Sequence, residues 1–495
     1  MKELRADIFS EANIRDFRTK NRKRLAFIYP PYGAIDNEPG LKVVKDNYGI
    51  FPSLSLLYVA GAAEGAGHDC LFLDLNADPQ PMESVLETLR KFRPDYVLYT
   101  VTTYQFKENL EWARQLKEAY PCPTLIGGVH MGIYAEETMI HDGLDVGFIG
   151  EVEISLPMFL ECDVMDLDAF ESVPGIIFRR DGKIHRTRPA PQLQNVDHAH
   201  FPARHLVDNT LYHSFITKYK NFTCFISSRG CPFKCIFCEQ GELKFRGRSA
   251  QNVVEELRLC YEKYGIREFD VFDSSFTINK KRVIEVCEAI IESDLDVHWS
   301  VRSRVDCMNE EMLYMLHKAG CFRVYYGIES GNACILKTLK KDTNLERMRQ
   351  TINLTKKIGI DTFGYFMVGS PGETAETARE TIDFSKTLDL DYAQFSKVTP
   401  MPGTQLYALY LKEFQEDYWK DYITNPTEQI SLPRPGCKMS DQEIQRLCRQ
   451  AYLEFYYRPS YVLRALGRVK SFEELIRSAK VAFEMRFSSE AHVSG

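Results

Sequence analysis

From Arg24 onward, short apolar runs of strand length alternate with stretches of helical periodicity. The runs are RLAFIYP at 24–30, DCLFLDL at 69–75, DYVLYTV at 95–101, TLIGG at 124–128 and DVGFIG at 145–150. Between them lie SLSLLYVAGAAEGAG, MESVLETLRKF, QFKENLEWARQLKEAY and YAEETMIHDG, which read as helices. Strand-length runs separated by helices predict βαβ units, and these build a parallel sheet covered by helices on both faces. Residues 24–160 are therefore expected to form a Rossmann-like, doubly wound α/β domain, preceded by a polar segment over 1–23.

A second alternation begins near Phe222. Its strand runs are FTCFISS, EFDVFDSS (268–275), HWSVRSR (298–304), RVYYGIES (323–330), DTFGYFMVGS (361–370) and YAQFSKVTP (392–400). Six βα units without a seventh and eighth predict a partial (β/α)6 TIM-like barrel over 216–407. Residues 161–215 break the alternation and read as a linker. Within it, GIIFRRDGKIHRT predicts a β-hairpin turned at Asp181–Gly182. His198, His200 and His205 follow in a proline-rich segment, at a spacing that matches no common metal site. Residues 408–495 read as helical, with Ser440 at an N-cap and a break at Pro459. This region is expected to close the open side of the barrel, and the tail SSEAHVSG to be disordered.

Composition narrows the class. A chain of 495 residues is too long for one core. The net charge of −7 provides no basic face for nucleic acid. No apolar run approaches the roughly 20 residues of a membrane helix. The polar N-terminus lacks the apolar segment of a secretion signal, so a cytoplasmic protein is expected, its 14 cysteines reduced.

Chemistry in both folds is expected beyond the carboxyl ends of the strands. In the first array those loops hold Pro31, Tyr32 and Gly33; Asp74 and Asn76; Thr102 and Thr103; Gly127, Gly128, Val129 and His130; and Gly150 and Glu151. Neither G-x-G-x-x-G after the first strand nor a Walker A loop is present. The competing reading is a sheet that only scaffolds. In the second array, Cys231, Cys235 and Cys238 form C-x3-C-x2-C where the first strand ends. Three thiolates can hold three corners of a cubane iron–sulfur cluster and leave one iron open. Structural zinc and plain buried cysteines are the alternatives, and the single Cys224 and Cys260 supply no second zinc pair.

CPFKCIFC at the end of the first strand of a partial barrel resembles the radical S-adenosylmethionine superfamily. With a Rossmann-like domain in front, and with PPYG, GGVH and IGEVE in order, the chain resembles its cobalamin-binding branch. The resemblance implies a 4Fe–4S cluster on the three cysteines, whose open iron chelates S-adenosylmethionine, and a reductant such as flavodoxin or ferredoxin. It implies nucleotide contacts from Phe237, Asp273, Ser274 and Ser275, from Arg302 and Arg304, from Glu329 within GIESG, and from Gly369. VFDSSFT departs from the acidic pair that many relatives carry. The lack of D-x-H-x-x-G implies a base-off cobalamin without histidine ligation, held by the loops of the first array, with His130 in a backbone or tail contact. Tyr325, Gln394, Ser396 and Lys397 are expected to face substrate. The implied activity is C-methylation of an unactivated carbon of a small molecule or lipid through a 5′-deoxyadenosyl radical. The alternatives are a radical cyclase, dehydratase or epimerase, or a non-catalytic iron–sulfur or zinc protein.

Overall fold

The computed structural model describes residues 18–31, 49–163, 166–214, 216–219, 221–427 and 430–468. The chain divides into two compact units, one of Met1–Ala34, Ile50–His213 and Asp417–Ile430, the other of the remainder.

The first unit is built on β1 (Arg24–Tyr29), β2 (Asp69–Asp74), β3 (Tyr96–Thr100), β4 (Thr124–Gly127), β5 (Val146–Phe148), β6 (Ile176–Arg180) and β7 (Lys183–Arg186). The strand order is β2-β1-β3-β4-β5-β6-β7. The first five run parallel, with α1 (Leu54–Ala66), α2 (Met82–Phe92), α3 (Phe106–Ala119) and α4 (Ala135–Met139) between them and α5 (Val152–Leu160) after β5. Leu25, Ala26, Phe27 and Ile28 of β1 are fully buried, which is why that strand reads as an unbroken apolar run. The order 2-1-3-4-5 places a switch point between β1 and β3, where doubly wound sheets bind ligands.

The hairpin forms as predicted, with Asp181 and Gly182 at φ 50° and 71° in its turn. It is not part of a linker, however. Ile176–Phe178 pair antiparallel with β5 and extend the sheet, because β5 ends the parallel set with an open backbone edge.

The second unit carries β8 (Phe222–Phe225), β9 (Glu268–Val271), β10 (His298–Ser303), β11 (Cys321–Glu329), β12 (Asp361–Val368) and β13 (Tyr392–Lys397), parallel and in sequence order. Between them run α6 (Ala250–Tyr264), α7 (Lys280–Glu292), α8 (Glu310–Lys318), α9 (Ala333–Thr338), α10 (Leu345–Ile358) and α11 (Ala375–Thr387), and α12 (Gln405–Phe414) follows. Phe225, Val271, Val301, Val324, Phe366 and Phe395 alternate toward the helices and share one core.

The next helix, α13 (Tyr418–Thr424), belongs to the first unit. Its Trp419 is fully buried and lies edge-on to Tyr104 at 5.4 Å. Tyr134 Oη donates to Asp417 at 2.7 Å, and His141 Nε2 lies 2.6 Å from the Ile423 carbonyl. In the second unit α14 (Asp441–Tyr456) starts in a capping box of Ser440 and Glu443. Its tyrosines satisfy the backbone of β13: Tyr456 Oη donates to the Ala393 carbonyl (2.8 Å), and the Ala393 and Phe395 amides donate to Tyr456 and Tyr452 (2.9 and 3.2 Å). α14 thus covers the end strand of the barrel sheet. Pro459 opens a further helix, and the tail from 488 lies outside the described residues. No described helix is long and apolar enough to cross a membrane.

Candidate cofactor and active site

The chain leaves β8 through Ile226, Ser227 and Ser228, and charged side chains take up the polar groups of this stem. Asp273, after β9, accepts from the amides of Ser227 and Ser228 (2.6 and 2.9 Å) and from both hydroxyls (2.6 Å each). Arg248 donates to the Ile226 carbonyl (2.9 Å), and Arg282 donates to that of Ser227 (2.6 Å). Ser228–Arg229 then pair with Arg246–Gly247 and close the loop into a ribbon. Gly230 has φ 80°, and a Cβ there would sit 2.3 Å from the Lys244 carbonyl oxygen, so this turn requires glycine.

On the loop, Cys231 is buried, Cys235 and Cys238 are half-buried, and all three are free thiols. The Leu243 amide donates to the Cys231 carbonyl (3.0 Å), and the Cys238 amide donates to that of Cys235 (3.1 Å). Burial pushes the thiols of Cys235 and Cys238 up, and Lys341 pulls both down. Arg304 Nη1 donates to Cys235 Sγ at 3.3 Å. Among the described residues, no three Cys, His, Asp or Glu side chains converge on one ion. In a four-iron cluster each thiolate binds a different iron, so its sulfurs do not share one point. Three thiols within mutual electrostatic reach, with a cation on one of them, fit that donor set.

Around the loop, the expected nucleotide residues take distinct places. Arg302 forks onto Asp270 (2.8 and 3.1 Å) and lies over the rings of Phe272 and Tyr325 (4.2 and 5.0 Å). Arg304, just past β10, turns instead to the cysteine loop. Glu329 ends β11 at φ 66°, buried, and accepts from Lys341 Nζ at 2.8 Å. A non-glycine residue in the left-handed region at a strand end is the kind of strain that functional sites retain. A Cβ at Gly327 would fall 2.4 Å from Glu329 Oε1 and 2.7 Å from Lys341 Nζ, so a side chain there would displace this pair. Ser274 is exposed, while the buried Ser275 hydroxyl has no partner among the described residues. Phe237 packs on the small core of Ile236, Ile335 and Leu406. Gly369 has φ 100°, and its amide and that of Ser370 donate to Glu373 (2.6 and 2.9 Å). Glu373 is fully buried, its other oxygen has no partner among the described residues, and burial raises its carboxyl to about 7.

Of the expected substrate residues, Tyr325 is buried against Phe363 and Tyr365 (5.0 and 6.0 Å). Gln394 and Ser396 are hydrogen-bonded to each other (3.1 Å), and Lys397 Nζ lies 4.0 Å from Asp441. Sequence reasoning missed Lys341, Phe233, Asp306 and Glu373. GIESG and the cysteines were visible as motifs and Phe233 lies inside the second, whereas Lys341 and Asp306, which charge and clamp them, carry no motif of their own.

In the first unit, the carboxyl ends of the strands present Pro31, Thr102, Val129 and Gly150 as exposed residues and Gly127 and Gly128 as half-buried ones. Tyr32 and Gly33 lie outside the described residues. Asp74 is buried and accepts from the amides of Asn76 and Ala77 (3.2 and 3.0 Å) and from Tyr212 Oη (2.8 Å). Glu151 accepts from the Leu193 amide (2.8 Å). His130 is fully buried, with Thr103 Oγ1 at Nδ1 (3.1 Å) and Thr138 Oγ1 at Nε2 (2.9 Å), and burial lowers it to about 4. It is a neutral, satisfied core histidine. A rim of small side chains and open backbone, with this imidazole turned inward, fits a flat macrocycle held without an axial histidine.

The radical SAM superfamily profile matches residues 225–385, and the B12 binding domain profile matches residues 40–160. Over 453 residues the chain is 31% identical to a Pyrococcus horikoshii protein named as an uncharacterised methyltransferase, covering 89% of this chain and 94% of that one. It is 28% identical over 397 residues to the anaerobic magnesium-protoporphyrin IX monomethyl ester cyclase of Rubrivivax gelatinosus, covering 78% and 69%. Among solved structures, it shares the fold of the radical S-adenosylmethionine methyltransferase TsrM from Kitasatospora setae with cobalamin and a [4Fe-4S] cluster bound. That match has a TM-score of 0.68 at 17% identity and covers 94% of this chain and 99% of that one.

Proposed function

This chain belongs to the cobalamin-binding radical S-adenosylmethionine enzymes, and from that premise we propose that it methylates an unactivated carbon of a small molecule or lipid. The observation that carries the reading is the pairing of the two profiles in a chain whose relative, matched over 94% of its length, is named a methyltransferase. Its cofactors are a 4Fe–4S cluster, S-adenosylmethionine and cobalamin. Bound together, they supply radical initiation and a methyl carrier.

The chain's own residues supply placement. Cys231, Cys235 and Cys238 hold the cluster, and Asp273, Arg248 and Arg282 fix the stem from which they hang. Glu329, Ser274, Arg302, Phe237 and the Gly369 backbone face the nucleotide, and Lys341 holds Glu329 ready in its strained conformation. The loops after β1, β3, β4 and β5 hold the corrin. The Tyr325, Phe363 and Tyr365 rings pack on one another beside Arg302 and give that side of the sheet an aromatic lining. Gln394, Ser396 and Lys397 lie on the last strand, where substrate would meet them. Flavodoxin or ferredoxin in the cytoplasm would deliver the electron.

Anaerobic reconstitution with iron, sulfide and cobalamin, followed by incubation with S-adenosylmethionine under dithionite, tests the reading. Methyl transfer requires both 5′-deoxyadenosine and S-adenosylhomocysteine. Deoxyadenosine without S-adenosylhomocysteine would replace it with a radical cyclase, dehydratase or epimerase.

A further inference from the structure

Arg304 is held on every side. Nε and Nη2 donate to the two oxygens of Asp306 (3.0 and 2.8 Å), and Nη2 also donates to the Lys341 carbonyl. The Phe233 ring, from the cysteine loop itself, lies 4.0 Å from the guanidinium carbon. Nη1 is thereby aimed at Cys235 Sγ. The side chain is only 6% exposed, so its charge is poorly screened. Lys341, whose carbonyl takes part in the clamp, carries its own buried ammonium on Glu329.

A fork locked in this way cannot follow a mobile ligand. Of the two thiols it touches, Cys235 and Cys307, only Cys235 belongs to the cysteine loop, and it is on that sulfur that Arg304 can act. An N–H donor and a positive charge at a cluster thiolate both favour the more negative, reduced state of the cluster. We propose that Arg304 tunes the cluster's reduction potential upward through Cys235, with Asp306 moderating its charge. The step concerned is the entry of one electron from the reductant, with no bond to the protein made or broken. The proposal rests on the cluster half of the reading above and is independent of methyl transfer.

The test uses the full-length reconstituted protein without nucleotide, titrated with dithionite and mediators, with the reduced cluster read by electron paramagnetic resonance. Arg304→Met should lower the ratio of reduced to oxidised cluster at fixed solution potential at least tenfold, equal to 59 mV for a one-electron couple. Arg304→Gln, which keeps a donor without the charge, should fall between, and Arg304→Lys should lie nearest the parent protein. Asp306→Asn should shift the ratio the opposite way. Equal potentials across the series at equal iron content would overturn the proposal. So would loss of iron from all Arg304 variants, which would make Arg304 an assembly residue. An iron-free parent protein would instead sink the family reading.

Discussion

Replacing Cys231, Cys235 or Cys238 by Ala should reduce bound iron from about four per chain toward zero and abolish nucleotide cleavage. These three stand together on one short loop at the end of β8, with Lys341 acting on Cys235 and Cys238. Iron assay and deoxyadenosine formation read both effects, and a variant that still cleaves would refute the assignment. His130 makes the reverse case. Both ring nitrogens have hydroxyl partners inside the first unit, so none is left for cobalt. The parent's cob(II)alamin should show no nitrogen splitting in its paramagnetic resonance spectrum, and His130→Gln should leave that spectrum unchanged. At this scale the sequence was legible where chemistry needs a fixed local spacing, as in the cysteine loop. It was silent on Lys341, which reaches Glu329 across a helix, and on Asp306, whose role appears only once Arg304 is clamped. Such partners are brought together by the fold, and no local periodicity announces them.

The loop after β12 carries a prediction of its own. The Glu373 carboxyl is raised from the usual 4.5 to about 7, because burial disfavours its charge more than the Ser370 and Gly369 amides favour it. The folded state therefore holds the proton more tightly than the unfolded one. Stability should fall as pH rises from about 4.5 to about 7 and level off above, a loss of roughly 3 kcal/mol from this group. Glu373→Gln keeps an acceptor for both amides and cannot ionise. Thermal melts from about pH 5 to about pH 8 should lose that decline in the variant, and an unchanged decline would place its origin elsewhere. Element identity was readable wherever one residue pattern decided it. The apolar run of β1 and the Asp181–Gly182 turn are examples, since burial on two faces and a turn with positive φ both leave local signatures. Where the hairpin goes was not readable. That depends on β5 offering an open edge, a fact about pairing between segments.

The allotment of chain to the two units departs most from sequence order. Residues 417–430 follow the barrel strands yet belong to the first unit, anchored by Trp419, by Tyr134 on Asp417 and by His141 at Ile423. The C-terminal region reads as uniformly helical in sequence, because α13 and α14 are both amphipathic and nothing local says which core each one faces. Trp419→Ala should therefore act on the corrin-binding unit, although Trp419 lies more than 200 residues after β7. Truncating a fully buried Trp costs about 3–5 kcal/mol, through lost apolar burial and the cavity left against Tyr104. In the full-length reconstituted protein, cobalamin retention through gel filtration should drop while iron per chain stays at the parent value. The opposite pattern, with iron lost and cobalamin kept, would mean that α13 supports the barrel.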